Sequence, residues 1–212
     1  MISMTRIDLL KTSPDRAGRY WVSFSDGTRI GLYRQTVEDF GLYTGLELSD
    51  EDMEKLRSAA GKMSAKMRAV RIVSATNVSR RDLEDRLIRK GEDPEQAKEA
   101  VKWMEDLHLV DDHSTAEQIV RSCISKGYGI ARAKQALYEK RIPKQYWEDV
   151  LSEYPDQEEK IEAFLRSRLT GDSDQKDVKR AIDALIRRGH GYGVIRRILN
   201  QLSFDTEEFL EE

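Results

Sequence analysis

Residues 127–151, GYGIARAKQALYEKRIPKQYWEDVL, hold a glycine-bounded turn, a short helix with Ala133 and Leu137 on its apolar side, and a proline-led helix carrying Trp147 and Leu151. The same plan recurs before and after it. Leu87, Leu137 and Leu199 occupy one equivalent core position, and Ala97, Trp147 and Phe209 a second one ten residues later. Both markers move by 50 residues in the first step (87 to 137, 97 to 147) and by 62 in the second (137 to 199, 147 to 209). Markers that shift together predict tandem helical units, each burying its apolar side against its neighbours and leaving an exposed face for another macromolecule. The expected fold is mainly α, an elongated curved array of three tandem three-helix repeats.

Around the quoted stretch the pattern extends in both directions. Upstream, Ala69, Val70, Ile72 and Val73 form one apolar stripe, and the Ser79-x-x-Asp82 capping box opens a helix with Leu83, Leu87 and Ile88 inside. Gly91 closes that helix, and Asp93-Pro94 opens the next, with Ala97, Val101, Met104 and Leu107 on its inner side. Ile119, Val120, Cys123 and Ile124 lead the second unit. In the third, Ala181, Leu185 and Ile186 precede Gly189-His190-Gly191, then Ile195, Ile198 and Leu199, and Asp205-x-x-Glu208 caps a last helix bearing Phe209. The twelve extra residues before unit three fall on the amphipathic stretch 155–169, which reads as one additional or extended helix.

The beginning of the chain differs in kind. Tyr20, Val22 and Phe24 alternate with Trp21, Ser23 and Ser25, Asp26-Gly27 turns the chain, and Ile30 and Leu32 continue the alternation, so a β-hairpin is expected, with residues 2–11 as a third strand. Ser49 caps a following helix. The resulting division is 1–63, a small strand-plus-helix module; 64–112, repeat one; 113–154, repeat two; and 155–212, repeat three with its leading helix.

Charged residues make up 35% of the chain and the hydrophobic set 39%, which suits thin helical layers better than one thick core. A net charge of -3 argues against a surface uniformly shaped for nucleic acid, though local basic faces are compatible with it. Cys123 is the single cysteine, so no internal disulfide forms, and its apolar neighbours make it a packing residue. No apolar run reaches the length of a membrane span, and the start of the chain lacks a long secretory h-region, so the expectation is a cytoplasmic protein.

Three passages resemble the RecX family of bacterial recombination regulators. They are Ser79-Arg80-Arg81-Asp82-Leu83 through Lys90-Gly91; Leu107-x-Leu109-Val110-Asp111-Asp112 followed by Ala116-x-x-x-Val120-Arg121; and Leu185-x-Arg187-Arg188-Gly189 followed by Val194-Ile195. The resemblance covers about residues 65–212, and the preceding hairpin module is similar to an extra segment of some members. It departs at Ser114-Thr115 and at His190, where the family commonly has aromatics, implying repacking there. What it implies is a monomeric, non-catalytic regulator of recombinational DNA repair and the SOS response. Such a protein binds the RecA filament and restrains its ATP hydrolysis, strand exchange and growth, with no cofactor.

The residues themselves offer little for catalysis. His108, Asp111, Asp112 and His113 are the one cluster with metal-like chemistry, but they straddle a helix end without zinc-site spacing, and either Asp111 or Asp112 has a plain role as a helix cap. His190, between glycines, reads as a surface turn residue. The basic residues form the better lead: Arg81, Arg86, Arg89 and Lys90 in unit one; Arg132, Lys134 and Lys140 in unit two; and Arg187, Arg188, Arg196 and Arg197 in unit three, off the apolar stripe. Two partners fit them, a RecA filament or, through helix-turn-helix-like basic helices, single- or double-stranded DNA held weakly by its backbone. Solvated helix faces interleaved with acids are the plainer reading of any one of these residues.

Overall fold

Ser79, Gly129 and Gly191 each stand in extended backbone immediately before a ten-residue helix, and they are separated by the 50- and 62-residue steps seen in the sequence. The helices are α3 (Arg80–Arg89), α6 (Ile130–Glu139) and α10 (Tyr192–Gln201). The helices preceding them, α2 (Asp50–Ala75), α5 (Asp112–Ser125) and α9 (Gln175–Arg187), end in the same register. Left-handed backbone recurs too, at Gly91 and Arg141, and at Gly127 and Gly189. These observations come from a computed structural model, which describes residues 4–14 and 18–202. Phe209 and the Asp205-x-x-Glu208 cap lie outside the described residues.

The chain divides into an N-terminal unit, Met1–Val110, and a C-terminal unit, Asp111–Glu212. In the N-terminal unit, β1 (Met4–Thr12), β2 (Arg19–Phe24), β3 (Arg29–Tyr33) and β4 (Glu47–Ser49) form an antiparallel sheet in the order β3-β2-β1-β4. The hairpin and third strand follow the alternation; the fourth strand, three residues long, and the short α1 (Arg34–Asp39) carry too little pattern to be read. Ile7, Val22, Phe24 and Leu32 face a core completed by Met53 and Leu56 of α2.

α2 passes through Met63 and Ser64 without a break, so the module at 1–63 and the first repeat share one helix, contrary to a boundary at that point. No stop signal lies there. Gly61, an unfavourable mid-helix residue by about 1 kcal/mol, is used for close approach, since a Cβ would collide with the Gln96 amide. Further along α2, Ala65 and Ala69 join Leu83, Leu87, Ala97, Ala100, Val101 and Met104 from α3 and α4 (Pro94–Asp106) in a second core. Ser79 accepts from the Asp82 amide at 3.1 Å, and Asp93 caps α4 through the Glu95 and Gln96 amides. Ile88 and Leu107, expected on inner faces, are exposed, Leu107 to 48%.

The C-terminal unit has two cores. Ala116, Val120, Cys123, Ala133, Leu137, Ile142 and Leu151 form the first, between α5, α6, a 3-10 turn at Lys144–Tyr146 and α7 (Trp147–Leu151). Trp147 is half-buried, not fully enclosed, and its Nε1 donates to the Ile142 carbonyl at 3.1 Å. The second core gathers Ile161, Leu165 and Leu169 with Val178, Ala181, Ile182, Leu185, Ile195, Ile198 and Leu199. Here α8 (Glu158–Arg168), which precedes α9 and α10, packs on both. The leading helix therefore closes the third core, a place taken in the first two by the helix that follows. Ile186 of its expected stripe is exposed.

Candidate partner-binding surface

The polar residues at the 107–113 junction have structural duties. Asp111 is the cap, accepting from the His113 and Ser114 amides at 2.8 and 3.1 Å, while Asp112 is buried. His113 meets Asp149 at 2.6 Å, a hydrogen bond that raises its pKa above the ordinary histidine value. Among the described residues no group of three or more His, Cys, Asp or Glu is placed to hold a metal ion. Cys123 is buried, and burial pushes its thiol pKa up, away from nucleophile chemistry.

His190 is not a surface residue. It is 8% exposed, its Nε2 donates to the Gly127 carbonyl at 3.0 Å, and burial lowers its pKa. The two glycine turns of the C-terminal unit meet here: the Gly129 amide donates to the Arg188 carbonyl at 2.9 Å, and a Cβ at Gly129 would collide with the Gly189 carbonyl. Glycines on both sides of His190 look like solvent-exposed turn chemistry, whereas Gly189, together with Gly129, is what lets two backbones touch. Thr115, the other departure from the family pattern, is also buried.

The predicted basic residues fall into two groups. Several are engaged within the molecule. Arg86 pairs with Asp82 at 2.9 Å, Arg89 Nε donates to the Asp85 carbonyl at 3.3 Å, Arg132 reaches Glu139 at 3.2 Å, and Arg197 pairs with Glu158. Arg196 and Lys140 are half-buried, so Arg196 is not the free surface cation its spacing suggests. Arg81, Lys90, Lys134, Arg187 and Arg188 are exposed, with no carboxylate partner among the described residues.

Arg187 and Arg188 belong to an assembled site. With Phe164, Arg168, Asp177 and Arg180 they line a groove of about 460 Å³ between α8 and α9. The Arg188 and Arg168 guanidinium carbons lie 4.7 and 5.5 Å from the Phe164 ring centroid, and Arg180 reaches Asp177 at 3.3 Å. Cation–π contact orders these side chains without neutralising them, leaving donors for an anionic partner. Arg168 and Arg180 are not legible as part of this cluster in the sequence, because Arg180 lies two turns before Arg187 on α9 and Arg168 ends a different helix, α8, both helices being marked mainly by their apolar stripes. The signal was Phe164 at four-residue spacing from Arg168.

The fold and this surface define a class: a protein of small helical units, with a strand module preceding them in the sequence, that carries a local arginine-rich groove suited to binding. Residues 111–151 match the model of the second three-helix domain of RecX. Regulatory protein RecX of Oceanobacillus iheyensis is 28% identical over 209 residues, covering 96% of this chain and 73% of that protein. Regulatory protein RecX of Clostridioides difficile is 26% identical over 209 residues, covering 95% and 97%. A crystal structure of regulatory protein RecX shares the fold at a TM-score of 0.63 and 21% identity, covering 92% of this chain and 99% of that one. The structure of RecX from Lactobacillus salivarius aligns at 0.58 with 26% identity, covering 68% and 98%. The chain is similar to RecX proteins along nearly its whole length. Its relatives are named regulatory proteins, and no helix among the described residues is long and apolar enough to cross a membrane.

Proposed function

We propose that this protein is a cytoplasmic, monomeric, non-catalytic regulator that binds the RecA nucleoprotein filament and restrains its ATP hydrolysis, strand exchange and growth during recombinational repair. Similarity to regulatory RecX proteins over nearly the whole chain carries the reading. The Arg187–Arg188–Phe164 groove supplies a contact chemistry for it: unneutralised guanidiniums suit the acidic and phosphate groups of a protein polymer on DNA. Bound across adjacent filament subunits, helical units of this kind favour one inter-subunit geometry and so oppose the alternation that nucleotide turnover needs. Division of the chain at 64–112, 113–154 and 155–212 into three such units belongs to the same proposal.

The DNA-dependent ATPase of RecA, titrated with this protein, tests it. The rate falls as the protein is added, and Arg187→Glu with Arg188→Glu weakens the effect about tenfold or more while circular dichroism is unchanged. An unaltered ATPase at saturating protein refutes the reading.

A further inference from the structure

The solvent face of the N-terminal sheet has no role in the reading above. Its residues are fixed by strand register. Lys11, Trp21 and Gly31 lie side by side across β1, β2 and β3; Leu9, Ser23 and Arg29 form the row on one side, and Arg19 and Tyr33 the row on the other. Partners opposite one another share a face, and the opposite face holds Val22 and Leu32 in the core. This outer face therefore carries three cations and two aromatic rings, and its register positions include no acid. Among the described residues Lys11, Arg19 and Arg29 have no carboxylate partner; the nearby Asp8 pairs with Arg6 at 3.0 Å. For a chain of net charge -3 this is a local reversal of sign.

The aromatic groups are arranged as a platform. Trp21 lies over Gly31, where a Cβ would come within 3.3 Å of Cζ3, so the glycine lets the indole rest on the sheet instead of standing away from it. The Arg29 guanidinium carbon is 4.6 Å from the Trp21 ring, and that of Arg19 is 4.1 Å from the Tyr33 ring. Arg71 of α2 donates to the Tyr33 hydroxyl at 2.7 Å, fixing the second ring. Trp21 is 38% exposed, a large apolar group kept at the surface. A flat aromatic group beside guanidinium planes accepts stacked bases of any identity, and the cations beside it take the phosphates.

We infer that the outer face of the β1–β3 sheet is a binding platform for single-stranded nucleic acid, with Trp21 as the stacking group and Lys11, Arg19 and Arg29 as phosphate contacts. The site belongs to the strand module and stands independently of any effect on RecA. No Asn, Gln, Asp or Glu stands at these register positions, so amide and carboxylate readers of base edges are missing there and stacking makes recognition sequence-tolerant.

Fluorescence anisotropy of a labelled oligothymidylate of about twenty nucleotides with the full chain tests the site. Trp21→Ala should weaken binding about 5- to 150-fold, the range for loss of one base–aromatic stack. Trp21→Phe retains most of the affinity and serves as the folded control. Arg19→Glu with Arg29→Glu should weaken it at least about tenfold and reduce the slope of log affinity against log salt by about 1.4, two phosphate contacts on a single strand. Affinity unchanged in Trp21→Ala or in the charge-reversed protein overturns the inference, as does failure of the unmodified chain to bind. Equal binding of polyglutamate also overturns it, by showing that the face takes acidic polypeptide.

Discussion

Gly129 and Gly191 offer a matched pair for measuring what holds the two helical cores of the C-terminal unit together. Each caps a ten-residue helix, with φ -76°, ψ 162° at Gly129 and φ -73°, ψ 137° at Gly191, and neither supplies a side-chain cap. Alanine at either position therefore carries a similar intrinsic cost, about 0.5–1 kcal/mol. The surroundings differ. A methyl at 191 meets nothing within 4 Å, whereas one at 129 strikes the Gly189 carbonyl. Separation of the turns would forfeit the Gly129 N–H to Arg188 bond and the His190 to Gly127 bond. At about 0.5–1.5 kcal/mol each, with about 1 kcal/mol of residual crowding, Gly129→Ala should be about 2–4 kcal/mol less stable than Gly191→Ala. Urea unfolding followed by far-ultraviolet circular dichroism gives the difference, and hydrogen exchange at the Gly129 amide locates it. Equal midpoints for the two variants, with Gly129 still protected, would refute the turn-to-turn contact.

Three other expectations follow from the packing. His190 has a folded-state pKa below its unfolded value, so the stability it contributes is fully present above the ordinary histidine pKa and is lost as pH falls through the folded value. His190→Asn should flatten the acid limb of a stability–pH profile, while His113, whose pKa is raised, acts in the opposite direction as pH rises. Trp147→Ala should cost about 2–4 kcal/mol, toward the lower end for a large aromatic, because the indole is half-buried and loses one hydrogen bond; thermal unfolding checks this. Leu165→Ala, at a fully buried position of α8, should cost about 2–5 kcal/mol, because α8 packs on both α9 and α10; an unfolding midpoint equal to that of the unmodified chain would count against this.

Much of the helical framework is legible in the sequence because it rests on local signals of few alternatives. Ser79 and Asp93 cap as their spacing requires, and Leu87, Leu137 and Leu199 are each fully buried in a different core. The failures come from tertiary choices that no local pattern encodes. Nothing between Leu56 and Ala65 announces that one helix serves two cores, and the glycine at 61 suggests a break until its contact with Gln96 is known. His190 is buried by a turn 63 residues away. The candidate surface was partly visible: Arg187 and Arg188 were identified by their clustering, but their grouping with Phe164, Arg168 and Arg180 depends on how α8 docks. Arg197 and Arg132 show the converse, cations that look free in sequence and are occupied by acids, Glu158 on another helix and Glu139 two turns along the same one.

The continuous α2 also constrains how this chain can vary. Leu56 serves the sheet core and Ala65 the helical core, and nine residues at about 100° each set them on opposite sides of one rod. Adding or deleting a single residue between them would turn one core against the other by about 100° and shift it by about 1.5 Å. The strand module is therefore geared to the first helical unit like two wheels keyed to one shaft, and between those two positions the length of the chain is less free to change than the identity of its side chains.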